Sequence, residues 1–410
     1  MPGGAGRSVA VGLLGYCALA SAAASQLFVP DASAVLAQSL ESELYLPRKS
    51  AADAGLNQAA VQQLLLQIEN KIKPGYQQVH SLLLYKSGAL VLEYYQKGNN
   101  DFIHFEQGIS LVKGQQEFVW SAEQPHYVAS VTKAVTATLA GIAIQQTALT
   151  VDSTLAQLLP EHPMIQADPI KASISLHQLL SMQAGFVWDE WTGDALLKLW
   201  QQQNFVDYLL QQPNTGPGTS WAYNSALPNL VLQLIQRELK QPLQLWAKQH
   251  LFDKLGFGSY RWETQPDGLP EGAARLWLRP RDMLKLGVLY LQQGQWQGEQ
   301  VLPAGWVRQM TRRQATSVAG DYGYYFWLRQ QDGISYYTAE GDGGQYIAVF
   351  PELEMVVVLT QGNYLQWPLY KQQAERIIRH LLHSVGAVSA TNPPPFIEDL
   401  PDKPDFDPRL

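Results

Sequence analysis

The sequence predicts an α+β fold: an antiparallel β-sheet flanked by N- and C-terminal helices, with an inserted and mostly helical region. Strand patterns occur near both ends of the chain, in "HSLLLYKSGALVLEYYQKG" and in "QYIAVFPELEMVVVLTQGN". Between them, about residues 135–275 are mostly helical in pattern. One sheet built from distant parts of the chain explains both observations, and a pocket is expected in the cleft between sheet and helices.

The first 24 residues have the pattern of a secretory signal peptide. An arginine precedes an apolar stretch over residues 9–20, and small residues follow near Ala22–Ala24. The apolar part is too short for a membrane span, so we expect a periplasmic or secreted mature protein without a stable span. Cys17, the single cysteine, follows Tyr16 rather than a small residue, which disfavours lipid anchoring. Cleavage near Ala24 excludes a cysteine nucleophile, cysteine-bound zinc and disulfides together.

The rest of the chain divides into a linker over residues 25–54, a folded domain over 55–388 and a tail over 389–410. The domain begins with a helical pattern in "AGLNQAAVQQLLLQIENKI", followed by a hairpin that turns at "KSG". The turn clusters "LPEHP", "QPNTGPG" and "FDKLGFG" divide the helical middle. The tail is proline-rich and acidic, and we expect it to be extended or disordered.

The C-terminal part of the domain returns to strand patterns. A helix begins near Pro280–Asp282 and ends at Gly294. Strands are predicted in "YGYYFWLR" and "GISYYTAEG", and in "YIAVF" and "MVVVLT" on either side of a "PELE" turn. The closing "LYKQQAERIIRHLLHSV" is an amphipathic helix.

Composition excludes several classes of function. The net charge of −7 gives no basic surface for nucleic acid, so we expect no nucleic-acid partner. The chain lacks Gly-x-Ser-x-Gly, His-Glu-x-x-His, a phosphate loop and a dinucleotide fingerprint, and no cofactor is implied. His380 and His383 share a face of the last helix without a third ligand, so no metal site is expected. The 12 Trp and 19 Tyr suggest a pocket lined by aromatic side chains.

What remains is serine chemistry, for which the chain offers two Ser-x-x-Lys motifs. Ser130 and Lys133 stand in "SVTK" at the head of a long apolar run, and Ser110 and Lys113 in "SLVK" between two glycines. A serine needs a neighbouring base, and lysine can be that base if burial lowers its pKa. On a helix, positions i and i+3 share a face, so Ser130 and Lys133 would touch.

The two motifs differ in their surroundings. Ser130 would lie at a helix start, where free N–H groups favour a developing oxyanion, and the apolar run predicts a buried helix. Burying the Lys133 ammonium without a partner or a function would cost several kcal/mol. Ser110 and Lys113 lack a helical continuation, and we expect them in an exposed loop. We therefore select Ser130 as the candidate nucleophile.

Further motifs follow in order. They are "ISLHQLLSMQAGFVWDEW", "GPGTSWAYNSALPNLVLQLI", "LFDKLGF", "RPRDMLKLGVLYLQQGQWQGEQVLP" and "AEGDGGQYIAVFPELEMVVV". With "SVTK", these resemble the class C β-lactamase-like serine hydrolases, of the β-lactamase and penicillin-binding-protein fold, which have esterase and amide-oligomer hydrolase relatives. The resemblance covers roughly residues 55–385.

The resemblance implies roles for individual residues. Ser130 would be the acylated nucleophile and Lys133 its proton partner. Tyr223 would act as base in acylation and as acid for the leaving group, with a phenol pKa lowered by Lys133. The backbone N–H groups of Ser130 and Gln345 would form the oxyanion hole. Gly343 and Gly344 would let substrate lie against the strand backbone.

Two departures from the family pattern weaken the expectation of β-lactam binding. Ser225 stands where the family commonly has Asn two residues after the tyrosine, and Asn224 would point away. Asp342 stands where a lysine or histidine helps receive the substrate carboxylate, and it would repel that anion unless a group such as Arg275 compensates. The expected walls of the pocket are Trp188, Asp189, Trp191, Trp221 and Tyr346.

The leading hypothesis is an exported serine hydrolase that cleaves a small ester, amide or peptide-like substrate through an acyl-enzyme on Ser130. Two alternatives stay open: a β-lactamase or D-amino-acid peptidase, and a catalytically weak binding protein on the same fold. The sequence does not identify the substrate or the oligomeric state.

Overall fold

The computed structural model describes residues 27–28, 46–71, 76–105, 108–190 and 193–386. The predicted signal peptide, much of the predicted linker and the predicted tail lie outside the described residues. None of the described helices is long and apolar enough to cross a membrane.

The described strands are mostly short, and the longest build one large sheet. In chain order they are β1 Leu27–Phe28, β2 Val79–Lys86, β3 Ala89–Tyr95, β4 Lys97–Gly98, β5 Phe102–His104, β6 Ser110–Val112, β7 Phe118–Val119, β8 His126–Tyr127, β9 Tyr260–Trp262, β10 Leu276–Leu278, β11 Gln295–Trp296, β12 Glu299–Gln300, β13 Ala315–Ser317, β14 Gly320–Tyr322, β15 Trp327–Gln331, β16 Ile334–Gly341, β17 Gln345–Phe350 and β18 Met355–Gln361.

The described α-helices concentrate between β8 and β9. In chain order they are α1 Gln58–Glu69, α2 Thr132–Gln146, α3 Leu155–Leu158, α4 Pro163–Ala167, α5 Pro169–Ala172, α6 Leu176–Leu180, α7 Ala195–Trp200, α8 Phe205–Gln211, α9 Leu227–Leu239, α10 Leu243–Ala247, α11 Pro280–Leu291, α12 Ala304–Met310 and α13 Leu369–Ser384. Short 3₁₀ turns cover Ala129–Val131 and Pro351–Leu353, and a π-helical turn covers Lys248–Phe252.

The large sheet joins distant parts of the chain, as the sequence predicts. Its eight strands lie in the order β13-β14-β15-β16-β17-β18-β2-β3, and every neighbouring pair is antiparallel. The predicted α+β class is confirmed, and so are the first hairpin, the helix that begins at Pro280 and the closing helix. The predicted pair on either side of "PELE" is β17 and β18.

Strand β2 is buried along its whole length because helices cover both faces of the sheet. Leu82 and Leu84 point to the side where α1 and α13 pack, and Leu83 points to the opposite apolar cluster, which contains α11. Alternate side chains of a strand face opposite sides, so a strand that is covered on both sides reads as a continuous apolar run. The run "SLLLY" in β2 has this form.

Helix α2 is the buried helix that the apolar run after Lys133 predicts. Its residues from Thr132 to Ala143 are all buried. Gly141 allows Trp306 to pack directly on the helix, because a Cβ at this position would lie 2.2 Å from the Trp306 indole. The same indole donates to the Ala137 carbonyl at 3.0 Å. The middle of helix α2 is therefore held in place by close packing against Trp306.

Two local predictions are wrong. The predicted strand "YGYYFWLR" is interrupted, because the Gly323 N–H donates to the Phe326 carbonyl at 2.8 Å and turns the chain between β14 and β15. Ser110 lies in β6, paired with β5, and not in a loop. A second sheet of order β1-β9-β10-β8 was not predicted, since strands of two or three residues are too short for alternation to be visible.

Candidate active site

The turn that carries Ser130 joins the small sheet to the buried helix α2. Ser130 lies in the 3₁₀ turn Ala129–Val131, and its side chain is partly exposed at the mouth of a cavity. Ala129 has φ +45°, an uncommon conformation for a residue with a side chain, and it redirects the chain sharply into the helix. Ser130 is thus placed at a helix start, as the sequence predicts.

Lys133 lies one turn along, behind Ser130. Its side chain is almost completely buried, and its Nζ donates to Ser130 Oγ at 3.0 Å and to the Ala273 carbonyl at 3.1 Å. The same Nζ lies 4.7 Å from the centre of the Tyr223 ring. The i, i+3 spacing therefore brings the serine and lysine into contact, and the tertiary fold adds the tyrosine.

Tyr223 lies in an extended segment just before α9, and the "SMQAG" motif holds that segment in place. The Ala222 N–H donates to the Met182 carbonyl at 3.1 Å, and the Gly218 N–H donates to the Gln183 carbonyl at 2.8 Å. The Tyr223 ring stacks on Trp327 with ring centres 6.1 Å apart. These contacts explain why the two motifs occur together, because one positions the tyrosine of the other.

Ala273, whose carbonyl accepts from Lys133, is held in place through its backbone N–H by a buried carboxylate, Glu271. One Glu271 oxygen accepts the N–H groups of Ala273, Ala274 and Arg275 at 2.9, 2.6 and 2.9 Å. The other accepts from the Asn229 amide at 3.0 Å. Sequence reasoning missed Glu271, since nothing local distinguishes it from a surface glutamate.

A cavity of about 730 Å³ opens beside Ser130. Several predicted site residues line it: Ser130, Trp188, Asp189, Trp221, Tyr223, Ser225, Asp342 and Tyr346. Sequence reasoning missed further lining residues: Phe105, Tyr127, Glu190, Trp200, Glu271, Trp327, Arg329, Glu340, Trp367, Tyr370, Lys371 and Glu375. Lys133 lies behind this wall, and Trp191 lies outside the described residues.

Gln345 is not in the cavity wall, contrary to its predicted place in the oxyanion hole. It is fully buried at the start of β17, where its side-chain amide donates to the Gln361 carbonyl at 2.6 Å. The backbone beside the nucleophile is instead that of Gly341, where a Cβ would lie 2.4 Å from the Val128 carbonyl. The strand end that faces Ser130 is therefore three or four residues earlier than predicted.

Gly343 and Gly344 are needed for the turn and for packing rather than for substrate. Both have positive φ, +80° and +98°, which favours glycine. A Cβ at Gly343 would lie 2.3 Å from the Tyr364 ring, and one at Gly344 would lie 2.3 Å from the Gln361 amide. Neither glycine lines the cavity described above.

Asp342 follows Gly341 and lies in the cavity wall. Its carboxylate accepts the Leu365 N–H at 2.7 Å and a hydrogen bond from the Tyr370 hydroxyl. Burial raises the pKa of Asp342 to about 6, against the lowering effect of these two donors. Arg275 does not compensate this charge, because its guanidinium pairs with Glu263 and donates to the Ile103 carbonyl.

Ser225 is in the wall, but its polar groups are directed at Glu190. The Ser225 hydroxyl donates to one Glu190 oxygen at 2.6 Å, and the Ser225 N–H donates to the other at 2.7 Å. The Trp188 indole also donates to that second oxygen, at 3.1 Å. Asn224 instead accepts the Ala226 N–H at 2.8 Å and is not a lining residue, as the extended segment predicts.

Arg329 and Glu340 form an ion pair in the cavity wall. Arg329 Nε and Nη2 donate to the two Glu340 oxygens at 2.9 and 3.1 Å. The guanidinium also lies over the Trp327 ring, 4.5 Å from its centre. This two-pronged geometry is the strong form of the arginine–carboxylate pair.

The second Ser-x-x-Lys motif does not form a comparable site. Ser110 is exposed in β6. The Lys113 side chain is 68% exposed and donates to Asp101 at 3.0 Å. The desolvation that would activate a lysine base is therefore missing at Lys113. Within the residues that the structure covers, no group of three or more His, Cys, Asp or Glu is arranged to hold a metal ion.

A comparison against protein families identifies the family of this chain. The Beta-lactamase family model matches residues 80–376, which include the nucleophile turn, the Tyr223 segment and the strand end at Gly341. The chain belongs to the Beta-lactamase family. A comparison with curated proteins gives no significant match.

Several solved structures share the fold of this chain at low sequence identity. A family VIII carboxylesterase aligns with TM-score 0.61 and 15% identity, over 78% of this chain and 98% of the other. D-amino acid amidase from Ochrobactrum anthropi SV3, complexed with D-phenylalanine, aligns with TM-score 0.57 and 16% identity, over 80% and 99%. The octameric penicillin-binding protein homologue from Pyrococcus abyssi aligns with TM-score 0.58 and 15% identity, over 79% and 78%.

Proposed function

We propose that this protein is a serine hydrolase that cleaves a small ester or amide through an acyl-enzyme on Ser130. The observation that carries the proposal is the buried Lys133 Nζ, 3.0 Å from Ser130 Oγ and 4.7 Å from the centre of the Tyr223 ring. A lysine placed in this way, inside a cavity-forming fold, provides the proton partner that a serine nucleophile requires.

In the proposed acylation step, Ser130 Oγ attacks the substrate carbonyl carbon and its proton passes to the Lys133–Tyr223 pair. The same pair then protonates the leaving alcohol or amine as the carbonyl–heteroatom bond breaks. In deacylation, water attacks the ester carbonyl and the proton returns to Ser130. The Ser130 N–H, together with the N–H of Asp342 after the close approach at Gly341, would stabilise the oxyanion.

The cavity wall favours an ester or amide over a β-lactam. A penicillin or cephalosporin carries a carboxylate, and Asp342 lies at the strand end that faces the nucleophile. Arg275 is held by Glu263 and does not neutralise Asp342. The carboxylesterase and amidase that share the fold make ester and amide bonds the first substrates to test.

Export of the chain is part of the proposal. The arginine, the apolar stretch and the small residues of the first 24 residues support a secretory signal, and with it a periplasmic or secreted site of action. Fractionation of cells that express the full chain, with N-terminal sequencing of the mature form, tests this part. A full-length cytosolic protein that retains residue 1 would refute it.

A fluorophosphonate adduct detected by intact mass is the direct test of the nucleophile. We expect one adduct on the wild-type protein, its loss in Ser130→Ala, and its retention in Ser110→Ala, which is the matched control. Labelling that survives Ser130→Ala, or that is lost in Ser110→Ala, would refute the choice of nucleophile. A folded wild-type protein without any adduct would support the alternative of a binding protein.

Substrate class is tested with p-nitrophenyl butyrate against a chromogenic cephalosporin. We expect turnover of the ester and little or no turnover of the cephalosporin. A cephalosporin rate comparable to that of a working β-lactamase would establish the alternative of a β-lactamase or peptidase.

A further inference from the structure

The charges around the cavity are predominantly negative. Six carboxylates line the cavity, whereas only two of the lining residues, Arg329 and Lys371, carry a positive charge. The carboxylates belong to Asp189, Glu190, Glu271, Glu340, Asp342 and Glu375. The buried Lys133 lies behind the wall and is used by Ser130. A substrate that enters the cavity therefore meets an excess of negative charge at close range.

These carboxylates are not equivalent, and several are already compensated. Glu340 is paired with Arg329, and Glu271 is occupied by backbone N–H groups. Asp342 accepts from the Leu365 N–H and the Tyr370 hydroxyl, and the cations Lys371 and Arg329 act on Glu375 against the rise in its pKa that burial causes. Glu190 remains the buried carboxylate of the wall that neither a cation nor a run of backbone groups compensates.

Glu190 is held rigidly and has unused capacity to accept a hydrogen bond. Its side chain is more than nine-tenths buried, and its three donors are the Ser225 N–H, the Ser225 hydroxyl and the Trp188 indole. A carboxylate has about four acceptor positions, so about one remains, and two of the three donors share one oxygen. Among the described residues, Glu190 takes part in no ion pair.

The walls near Glu190 suit a cation as well. Trp188 lines the cavity beside it, and the rings of Trp221, Tyr223 and Trp327 pack together in the same cavity. Aromatic faces attract cations through the ring quadrupole, most strongly for tryptophan. Lys133 already lies near the Tyr223 ring, and the Arg329 guanidinium lies over the Trp327 ring, so a ligand cation would lie on the Trp188 and Trp221 side of the cavity.

We propose that the preferred substrates are cationic esters or amides, whose ammonium group pairs with Glu190 against the Trp188 and Trp221 side of the cavity. This inference rests on the proposed acyl-enzyme function and names the substrate class of that same site. Ser225, at the position where the family commonly has asparagine, then serves to orient the carboxylate that recognises the ammonium.

Matched substrates that differ only in charge test the inference on the wild-type protein. The first pair is p-nitrophenyl 6-aminohexanoate and p-nitrophenyl heptanoate, and the second is butyrylcholine and 3,3-dimethylbutyl butyrate. We expect kcat/KM to be about 10–100-fold higher for the cationic member of at least one pair, as for a charge pair in a partly desolvated site. The anionic p-nitrophenyl hydrogen adipate should react more slowly than the heptanoate.

Glu190→Gln should remove this preference. The cationic-to-neutral ratio of kcat/KM is expected to fall towards one in Glu190→Gln and to stay unchanged in the control Glu352→Gln, whose side chain is exposed in the turn after β17. A wild-type ratio of one or less for both pairs would overturn the inference. If Glu190→Gln does not fold, the inhibition constants of hexylammonium and hexanol on the wild-type protein are compared instead. Stronger inhibition by hexylammonium supports the inference, and equal inhibition overturns it.

The fluorophosphonate adduct separates this inference from the function on which it rests. An adduct on Ser130 together with equal rates for all matched substrates would refute only the cationic specificity. The absence of any adduct would refute the acyl-enzyme itself.

Discussion

Replacement of Lys133 by methionine should separate catalysis from stability. Methionine has nearly the length of lysine, so Lys133→Met keeps the packing of α2 while it removes the donor to Ser130 Oγ and the Ala273 carbonyl. Loss of a positioned proton-transfer group costs about 10²–10⁴ in rate, which is about 2.7–5.4 kcal/mol on the acylation barrier. We expect fluorophosphonate labelling of Ser130 to slow by this factor.

The stability of the same variant should change little or increase. Replacing a buried charge by an apolar side chain is often neutral or stabilising by about 1–4 kcal/mol. The Ala273 carbonyl, left without its donor, costs about 1–3 kcal/mol. The two contributions nearly cancel, so the thermal midpoint should not fall by more than a few degrees.

Labelling kinetics by intact mass and thermal unfolding by circular dichroism measure the two quantities. Lys113→Met is the control, because Lys113 stands in the same Ser-x-x-Lys motif but is exposed and paired with Asp101. Lys113→Met should label at the wild-type rate. Labelling of Lys133→Met within threefold of the wild-type rate would refute the proposed role of Lys133 in catalysis. Loss of labelling together with unfolding of the variant would show that Lys133 acts mainly through packing.

Three further predictions concern the elements that surround the site. Asp342→Asn should gain about 1–3 kcal/mol of unfolding free energy at pH 8 and nothing at pH 4. Burial raises the Asp342 pKa from 3.8 to about 6, so between these values the native state binds more protons than the unfolded state. The stability of the wild-type protein therefore falls as pH rises through that window. Urea unfolding at both pH values measures this, and an equal effect at each would contradict it. Gly341→Ala should slow Ser130 labelling about 100-fold, because its Cβ would lie 2.4 Å from the Val128 carbonyl and displace the nucleophile turn; wild-type labelling would disprove the close approach. Gly141→Ala should cost about 1–3 kcal/mol in urea unfolding through its clash with the Trp306 indole, and an unchanged midpoint would show that the indole can move.

The sequence predicts well the parts of the site that rest on local spacing. Ser130 and Lys133 are three residues apart at a helix start, so their contact follows from helical geometry alone. Tyr223 is placed by motif order, and the structure brings its ring near Lys133 through the loop at Met182. The large sheet follows from strand patterns that are long enough to show periodicity.

Contacts between segments that are distant in the chain could not be predicted from local spacing or motif order. Glu190 was adjacent to the predicted wall residues Trp188 and Asp189, yet its partner Ser225 is far away in the chain. The sequence predicts Gln345 for the oxyanion hole from its position just after "DGG", but the position of the turn between β16 and β17 decides which backbone faces Ser130. Such a turn is fixed by tertiary packing, here of Tyr364 and Gln361 on Gly343 and Gly344.

The pairing of β2 with β18 has a consequence for how the chain acquires its structure. Leu83 and Val358 are direct partners in the large sheet, although most of the chain lies between them. Until β18 leaves the ribosome, the first hairpin has no neighbour on that side, and its apolar residues stay without their final contacts. High contact order of this kind slows folding. The nascent chain exposes apolar residues during this time and is prone to aggregation. Truncation before β18 should therefore yield insoluble protein rather than a smaller folded unit.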